Sequence, residues 1–197
     1  MRRGAPRRLG RCIGAVGVVL ALGWGTVAPA DAHDRSVASH VRVTVRHDGQ
    51  DKARAGLRVD RTHARTVTAL NSAEATARCD DCRAVALSFQ VVLADRGPAE
   101  VAADNAAIAH NEACQRCETV AVAYQFVVVS PARAHVTPTG HARLADVRAE
   151  LHRLAHGGGT AEDIAAAAGA LAAEVADVLA TELRTLPRVD REVRTRR

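Results

Sequence analysis

Four cysteines in two C-x-x-C pairs are the residues of this chain best suited to chemistry. Cys79 and Cys82 enclose two aspartates, whereas Cys114 and Cys117 enclose a Gln-Arg dipeptide. Cysteine pairs at this spacing can form disulfides, bind zinc or act as a thiol–disulfide redox centre. The compartment and the neighbouring residues decide between these three uses.

The segments that follow the two cysteine pairs form a tandem repeat. Bulky apolar side chains alternate along each segment and recur 35 residues later. They are Val85, Leu87, Phe89, Val91 and Leu93 in the first, and Val120, Val122, Tyr124, Phe126 and Val128 in the second. The intervening positions are small or polar, and we interpret Gln90 and Gln125 as part of a polar sheet face. Alternation with a period of two predicts strands packed on a core.

Alanine-rich segments precede both cysteine pairs, at residues 71–78 and 105–113. We interpret each as the first strand of a strand–turn–strand unit that carries the C-x-x-C pair at its turn. Because alanine also favours helix, a short helix is the alternative. The second segment is one residue longer, which a β-bulge could absorb.

Residues 1–32 are typical of a secretory signal peptide. Five arginines precede an apolar run over 13–27, and Ala30-Asp31-Ala32 resembles an A-x-A cleavage site. The run is short for a membrane span, which needs about 20 apolar residues. An uncleaved leader is the alternative, and it is the only membrane attachment that we expect. The sequence therefore predicts a secreted protein or a protein of the extracytoplasmic cell envelope.

Removal of the leader changes the charge and the cysteine count. The whole chain has 27 basic and 22 acidic residues, whereas the chain without residues 1–32 has 22 and 21, a formal charge of +1. Its aromatic residues are Phe89, Tyr124 and Phe126. Nucleic-acid binding usually needs a basic stripe with stacking aromatics, so we expect no nucleic-acid partner. Cys12 leaves with the leader, and four cysteines remain in a compartment that permits disulfides.

Structural disulfides are the preferred interpretation of Cys79, Cys82, Cys114 and Cys117. Residues that flank a two-residue hairpin loop have Cα atoms about 5.5 Å apart, which lies in the disulfide range. The Asp-Asp dipeptide suits such a turn. Four cysteines allow three connectivities, and bridges between the units remain open at this stage. On this interpretation we expect no cofactor.

Zinc is the second interpretation, because the same four cysteines could supply the four thiolates of a tetrahedral site. The 31 residues between Cys82 and Cys114 exceed the usual 15–20 of compact four-cysteine sites. A thiol–disulfide oxidoreductase is the third interpretation. It needs a thiol of low pKa, which Asp80 and Asp81 would oppose.

Other candidate sites are weaker. His152 and His156 have metal-ligand spacing on a helix, but Arg153 stands where an H-E-x-x-H motif has its glutamate. We interpret this pair as part of a solvated helix face. Phosphate-loop and G-x-S-x-G motifs do not occur in the sequence, so we expect no enzyme activity.

The flanking regions complete the predicted architecture. The strand pattern at 41–45 runs into Asp48-Gly49, which predicts a hairpin with return strands at 57–59 and 66–70. We therefore assign 33–137 to a β-rich domain. Two apolar stripes around Gly157–Gly159 predict a helical hairpin at 138–187, with Thr160 as N-cap. Residues 188–197 form a basic tail that we expect to be disordered.

The regions around both cysteine pairs, including the Phe89-Gln90 and Gln125-Phe126 dipeptides, resemble an uncharacterised family of secreted or membrane-attached actinobacterial proteins. The helical part around Arg148–Leu154 is similar as well. The double C-x-x-C region also resembles the C-terminal region of proteins named as peptide zinc metalloproteases, but their zinc-binding protease part has no counterpart here. The resemblance implies an extracytoplasmic accessory region.

Together these observations predict an α+β fold. A small antiparallel sheet, built from the two C-x-x-C units and the N-terminal hairpin, would pack against the helical hairpin. The expected function is an exported, non-catalytic structural or interaction module stapled by disulfides. The alternative is a zinc-binding or thiol-redox accessory of a peptide-processing or export system. The partner would be another cell-envelope protein, or a second copy bound through the C-terminal helices.

Overall fold

Six long strands wind into a coil of three turns in the computed structural model, which describes residues 34–186. The strands are β1 (Asp34–Val45), β2 (Asp51–Thr62), β3 (Thr66–Ala77), β4 (Arg83–Ala94), β5 (Glu100–Asn111) and β6 (Glu118–Val129). The odd-numbered strands form a first sheet in the order β1-β3-β5, and the even-numbered strands form a second sheet in the order β2-β4-β6. Every pairing within these two sheets is parallel. The predicted leader and basic tail lie outside the described residues.

The predicted antiparallel sheet is wrong. Asp48 and Gly49 do lie between β1 and β2, but these strands belong to different sheets and form no hairpin. The same holds for β3 and β4, which flank the first C-x-x-C pair, and for β5 and β6, which flank the second. Alternation predicts that a segment is extended, but it does not identify the neighbouring strand. Within residues 34–186 the antiparallel pairing is confined to β7 (Arg133–Val136) and β8 (Leu183–Leu186).

Parallel pairing places the corresponding residues of the two C-x-x-C units side by side. Phe89 of β4 pairs with Tyr124 of β6, and their rings meet edge to face with centroids 5.2 Å apart. The extra residue of the second unit lies in the turn after β5 and not in a strand bulge. Ala113 in that turn has a φ of 48°, which lets the longer loop close.

Both faces of β4 are buried. Its bulky side chains, such as Leu87 and Phe89, form one core with two C-terminal helices. Its small side chains, such as Ala84 and Ala86, pack against the first sheet. The order of layers is therefore first sheet, second sheet, helices. Parallel strands are commonly buried on both faces, and the small residues fit the narrow space between the sheets.

The predicted C-terminal helical pair is confirmed. Helix α1 spans Pro138–His156 and helix α2 spans Ala161–Glu182. Thr160 is the N-cap of α2, and Asp163 completes a reciprocal capping box with it. The helix ends at Glu182, and the last predicted helical residues form β8 instead. Most apolar residues of both helices pack against each other and the second sheet, whereas Leu171, Leu179 and Leu183 are partly exposed and Leu186 is exposed.

Candidate functional site

The turns that link a first-sheet strand to the following second-sheet strand stack on one another at one side of the coil. They comprise residues 46–50, 78–82 and 112–117, and we call this set the turn stack. Gly49, Asp81 and Arg116 occupy its corresponding positions, with φ values of 69°, 55° and 56°. The Gly49 amide donates to the Asp80 carbonyl, and the Asp81 amide donates to the Gln115 carbonyl, each over 2.9 Å. The backbone of each turn thus continues the pairing of the strands.

Each C-x-x-C pair lies at disulfide distance within its own turn. The Cα atoms of Cys79 and Cys82 are 5.9 Å apart, and those of Cys114 and Cys117 are 6.1 Å apart. Both separations fall in the range of natural disulfides. The first pair is buried, whereas the second pair is partly exposed. The predicted cysteines are therefore brought together in adjacent turns as two local bridges, and no bridge joins one unit to the other.

Carboxylates hold the three turns to each other. Asp48 Oδ1 accepts from the Asp80 amide at 2.9 Å, and Asp80 Oδ1 accepts from the Gln115 amide at 2.7 Å. Asp81 and Arg116 form a two-pronged ion pair on the solvent side. The Arg116 hydrogen bond lowers the pKa of Asp81, and the same pair raises the pKa of Arg116. The polar groups around the cysteines are thus engaged in fixing the turns.

Residues 46–50, in the first turn of the coil, belong to the turn stack, and the sequence alone did not identify them as related to the two C-x-x-C turns. His47 and Gln50 occupy the places that correspond to Cys79 and Cys82, because β1 pairs with β3 and β2 with β4 in a constant register. The shared signal was an Asp followed by a residue that tolerates positive φ, seen in Asp48-Gly49 and again in Asp80-Asp81. The sequence alone predicts a hairpin at the first instance. The turn stack therefore has three members, and two of them carry cysteine pairs.

Polar side chains also form ladders between the two sheets. Asn71 Nδ2 donates to Asn105 Oδ1 at 2.8 Å, and Ser88 Oγ donates to Asn71 Oδ1 at 2.6 Å. Gln125 Nε2 donates to Gln90 Oε1 at 2.9 Å. Both glutamines are buried, and the sheet face to which we assigned them lies against the first sheet. The bond between them satisfies Gln125 Nε2 and Gln90 Oε1, whereas the buried Gln125 Oε1 has no partner among the described residues.

A concave surface lies at the opposite end of the coil from β5, beside β1 and β2. It consists of two adjoining depressions of about 270 and 610 Å³, which we call the basic groove. The charged and titratable residues that line it are His40, Arg42, Asp51, Lys52, Arg54, His152 and His156. The predicted histidine pair is exposed, and its rings stack with centroids 4.2 Å apart. Positive side chains therefore predominate along the groove.

Two further observations concern the possible environments of the chain. Within residues 34–186, no group of three or more His, Cys, Asp or Glu side chains is arranged to hold a metal ion. Helix α2 is long and apolar enough to cross a membrane, but the core helix of a soluble protein passes the same test. Comparisons of the chain with protein-family models, curated proteins and solved structures found no match.

Proposed function

We propose that the protein is an exported, non-catalytic structural or interaction module of the cell envelope. The observation that carries this proposal is the placement of two local cysteine bridges in adjacent turns of one coil. Disulfides persist in oxidising compartments and are rare where thiols are kept reduced. The leader-like residues 1–32 and the resemblance to secreted actinobacterial proteins support the same location.

The structural use of the polar groups supports a non-catalytic role. Asp80 accepts a backbone hydrogen bond in the turn stack, whereas Asp81 is paired with Arg116. A catalytic carboxylate would instead face a cleft with its proton-transfer position free. The groups nearest the cysteines therefore shape a rigid surface, and rigid surfaces of this kind suit partner binding.

The test is to express the chain with its own leader and to analyse the mature protein without reductant. We expect it outside the cytoplasm, with a mass that corresponds to loss of residues 1–32, no free thiols and no stoichiometric zinc. Recovery in the cytoplasm, or one zinc ion per chain bound by four thiolates, would contradict the proposal.

A thiol-redox accessory is the second candidate, because one observation favours it. Cys114 and Cys117 are partly exposed, and Arg116 between them is a cation that could stabilise a thiolate. Asp81 already engages that cation, which weakens the effect. A measured reduction potential separates the candidates. Structural disulfides of secreted proteins lie below about −300 mV, and catalytic ones lie between about −270 and −120 mV.

A further inference from the structure

We propose that the basic groove binds an extended acidic polypeptide segment, which adds to the free edge of β1. This inference rests on the interaction role proposed above and specifies the partner. Among the described strands, β1 pairs with β3 on one side and has no strand on the other. An unpaired edge offers alternating backbone donors and acceptors to an incoming strand.

The two sheets are staggered, and the stagger gives the added strand a covered place. β1 lies opposite both β2 and β4, whereas β2 makes its principal contacts across the sheets with β1 alone. One face of β2 therefore extends beyond β1 at this end of the coil. A strand added to β1 would lie beneath that overhanging face, with backbone pairing on one side and side-chain contacts above it.

The overhanging face of β2 carries positive charge. Lys52, Arg54 and Arg58 are in register with Ala84, Ala86 and Gln90 of β4, respectively. Those three β4 residues are buried between the sheets, so the basic residues point towards the corresponding space beside β1. Side chains of an added strand that face β2 would meet these cations. Acidic side chains at alternate positions would complement them.

The available charges are those of Lys52 and Arg54. Neither has an ion pair within residues 34–186, whereas Arg42 is paired with Glu74 at 2.7 Å and Arg58 with Asp60 at 2.7 Å. Asp51 is the carboxylate among the groove residues, and it lies 3.5 Å from Arg83. An acidic ligand would therefore engage two cations without first breaking an existing pair.

The groove favours a polypeptide over the other polyanions. No Phe, Tyr or Trp is among the residues that line it, so it lacks the large stacking platforms that single-stranded nucleic acids use. The same end of a second copy would bring like charges together, and inward-pointing Lys and Arg are a known protection against such edge pairing. A strand with acidic residues on one face can pair its backbone with the edge of β1 and place its carboxylates near the cations of β2.

The test uses blocked peptides of about ten residues, a typical strand length, with alternating Glu and Val. Titration against the purified mature protein should give saturable binding that weakens with salt. The variant Lys52→Ser with Arg54→Ser should bind about tenfold more weakly. Both residues are exposed, so folding should be retained, which circular dichroism checks. Arg133→Ser, which alters an exposed arginine of β7 outside the groove, is the matched control and should bind normally.

Two peptide controls test the mode of binding. A peptide of alternating Lys and Val should not bind, and N-methylation of alternate amides should abolish binding of the acidic peptide. Equal binding of the methylated peptide, displacement by millimolar inorganic phosphate alone, or self-association of the protein through this end would overturn the proposal. So would failure of any acidic peptide to bind. Export and thiol content do not depend on the groove, so these failures are distinguishable from failure of the proposed function.

Discussion

Gln125 of β6 donates its side-chain amide to Gln90 of β4 over 2.9 Å, and both side chains are buried between the two sheets. This bond exists because parallel pairing in register places the two residues side by side. An antiparallel hairpin would have set other residues against each other. The hydrogen bond between the two glutamines therefore depends on the parallel pairing of β4 with β6. Substitution of these residues tests that pairing.

Loss of one glutamine should be more harmful than loss of both. Gln125→Leu leaves the buried Gln90 carbonyl without its donor, and we expect the free energy of unfolding to fall by about 1–3 kcal/mol. The double variant Gln90→Leu with Gln125→Leu removes both polar groups and should be more stable than either single variant. Urea denaturation measures these differences.

Gln115→Ala is the control for the glutamine variants. Its side chain is exposed, and we expect a change within about 0.5 kcal/mol. Additive losses in the double variant would contradict the paired arrangement of Gln90 and Gln125.

The two disulfides should differ in their rate of reduction. Cys79 and Cys82 are 5% and 2% exposed, whereas Cys114 and Cys117 are more accessible. Thiol–disulfide exchange requires access of the attacking thiolate to sulfur, so limited dithiothreitol should open the second bridge first. Alkylation of the released thiols followed by peptide mass mapping measures the order. Simultaneous opening under native conditions would indicate that the coil unfolds before either bridge is reduced.

Glycine should fit the backbone conformation at position 116 better than any other residue. Its φ of 56° lies in the left-handed region, which costs a non-glycine residue about 1–2 kcal/mol. Arg116→Gly and Arg116→Ala both remove the ion pair with Asp81, but only glycine relieves the backbone cost. We therefore expect the glycine variant to be about 1 kcal/mol more stable than the alanine variant in thermal or urea unfolding. Equal stabilities would contradict the left-handed conformation.

The ion pair between Asp81 and Arg116 should make stability depend on acid pH. The pKa of Asp81 is lowered in the folded chain, so its contribution is present above the unfolded value of about 3.9. That contribution is lost as the pH falls through the lower folded pKa. The stability difference between the native chain and Asp81→Asn should thus be largest near neutrality and shrink in acid. Asp104→Asn, at an exposed carboxylate outside the turn stack, should not show this pattern.

Gly140 should not accept a side chain. A Cβ atom there would lie 2.5 Å from Val136 Cγ1 and 2.7 Å from Glu182 Cβ, where α1 meets the end of α2. We expect Gly140→Ala to cost about 1–3 kcal/mol through overpacking. Gly158→Ala is the matched control, because nothing lies within 4 Å of its added Cβ. A neutral Gly140→Ala would mean that the helices can separate at this point without cost.

Local features of the sequence predicted the elements better than their arrangement. The apolar stripes and Thr160 identified the helical pair, since helix periodicity and capping are local properties. The alternation in 85–93 and 120–128 likewise identified strands. Pairing depends on contacts between distant residues, and Asp48-Gly49 fits a turn between sheets as well as a hairpin. Burial of Gln90 and Gln125 followed from that pairing, so it was not recognised.

The cysteine site shows the same division. Spacing and the predicted compartment favoured disulfides, but they did not choose between bridges within a unit and bridges between the units. His47 and Gln50 gave no chemical signal in the sequence, and only the strand register shows that residues 46–50 belong to the turn stack. No sequence pattern distinguishes Lys52 and Arg54 from the other charged residues of the chain. Their position on the overhanging face of β2 depends on the stagger of the two sheets.

Because each cysteine bridge closes a single turn, no disulfide joins the two cysteine-bearing turns, and the backbone is the covalent connection between successive turns of the coil. Tension applied along the coil axis would be resisted only by backbone pairing, side-chain ladders and the helices. The last turn could then peel away and re-anneal while both bridges stay intact. Each cysteine-bearing loop would stay closed by its own bridge during such a separation.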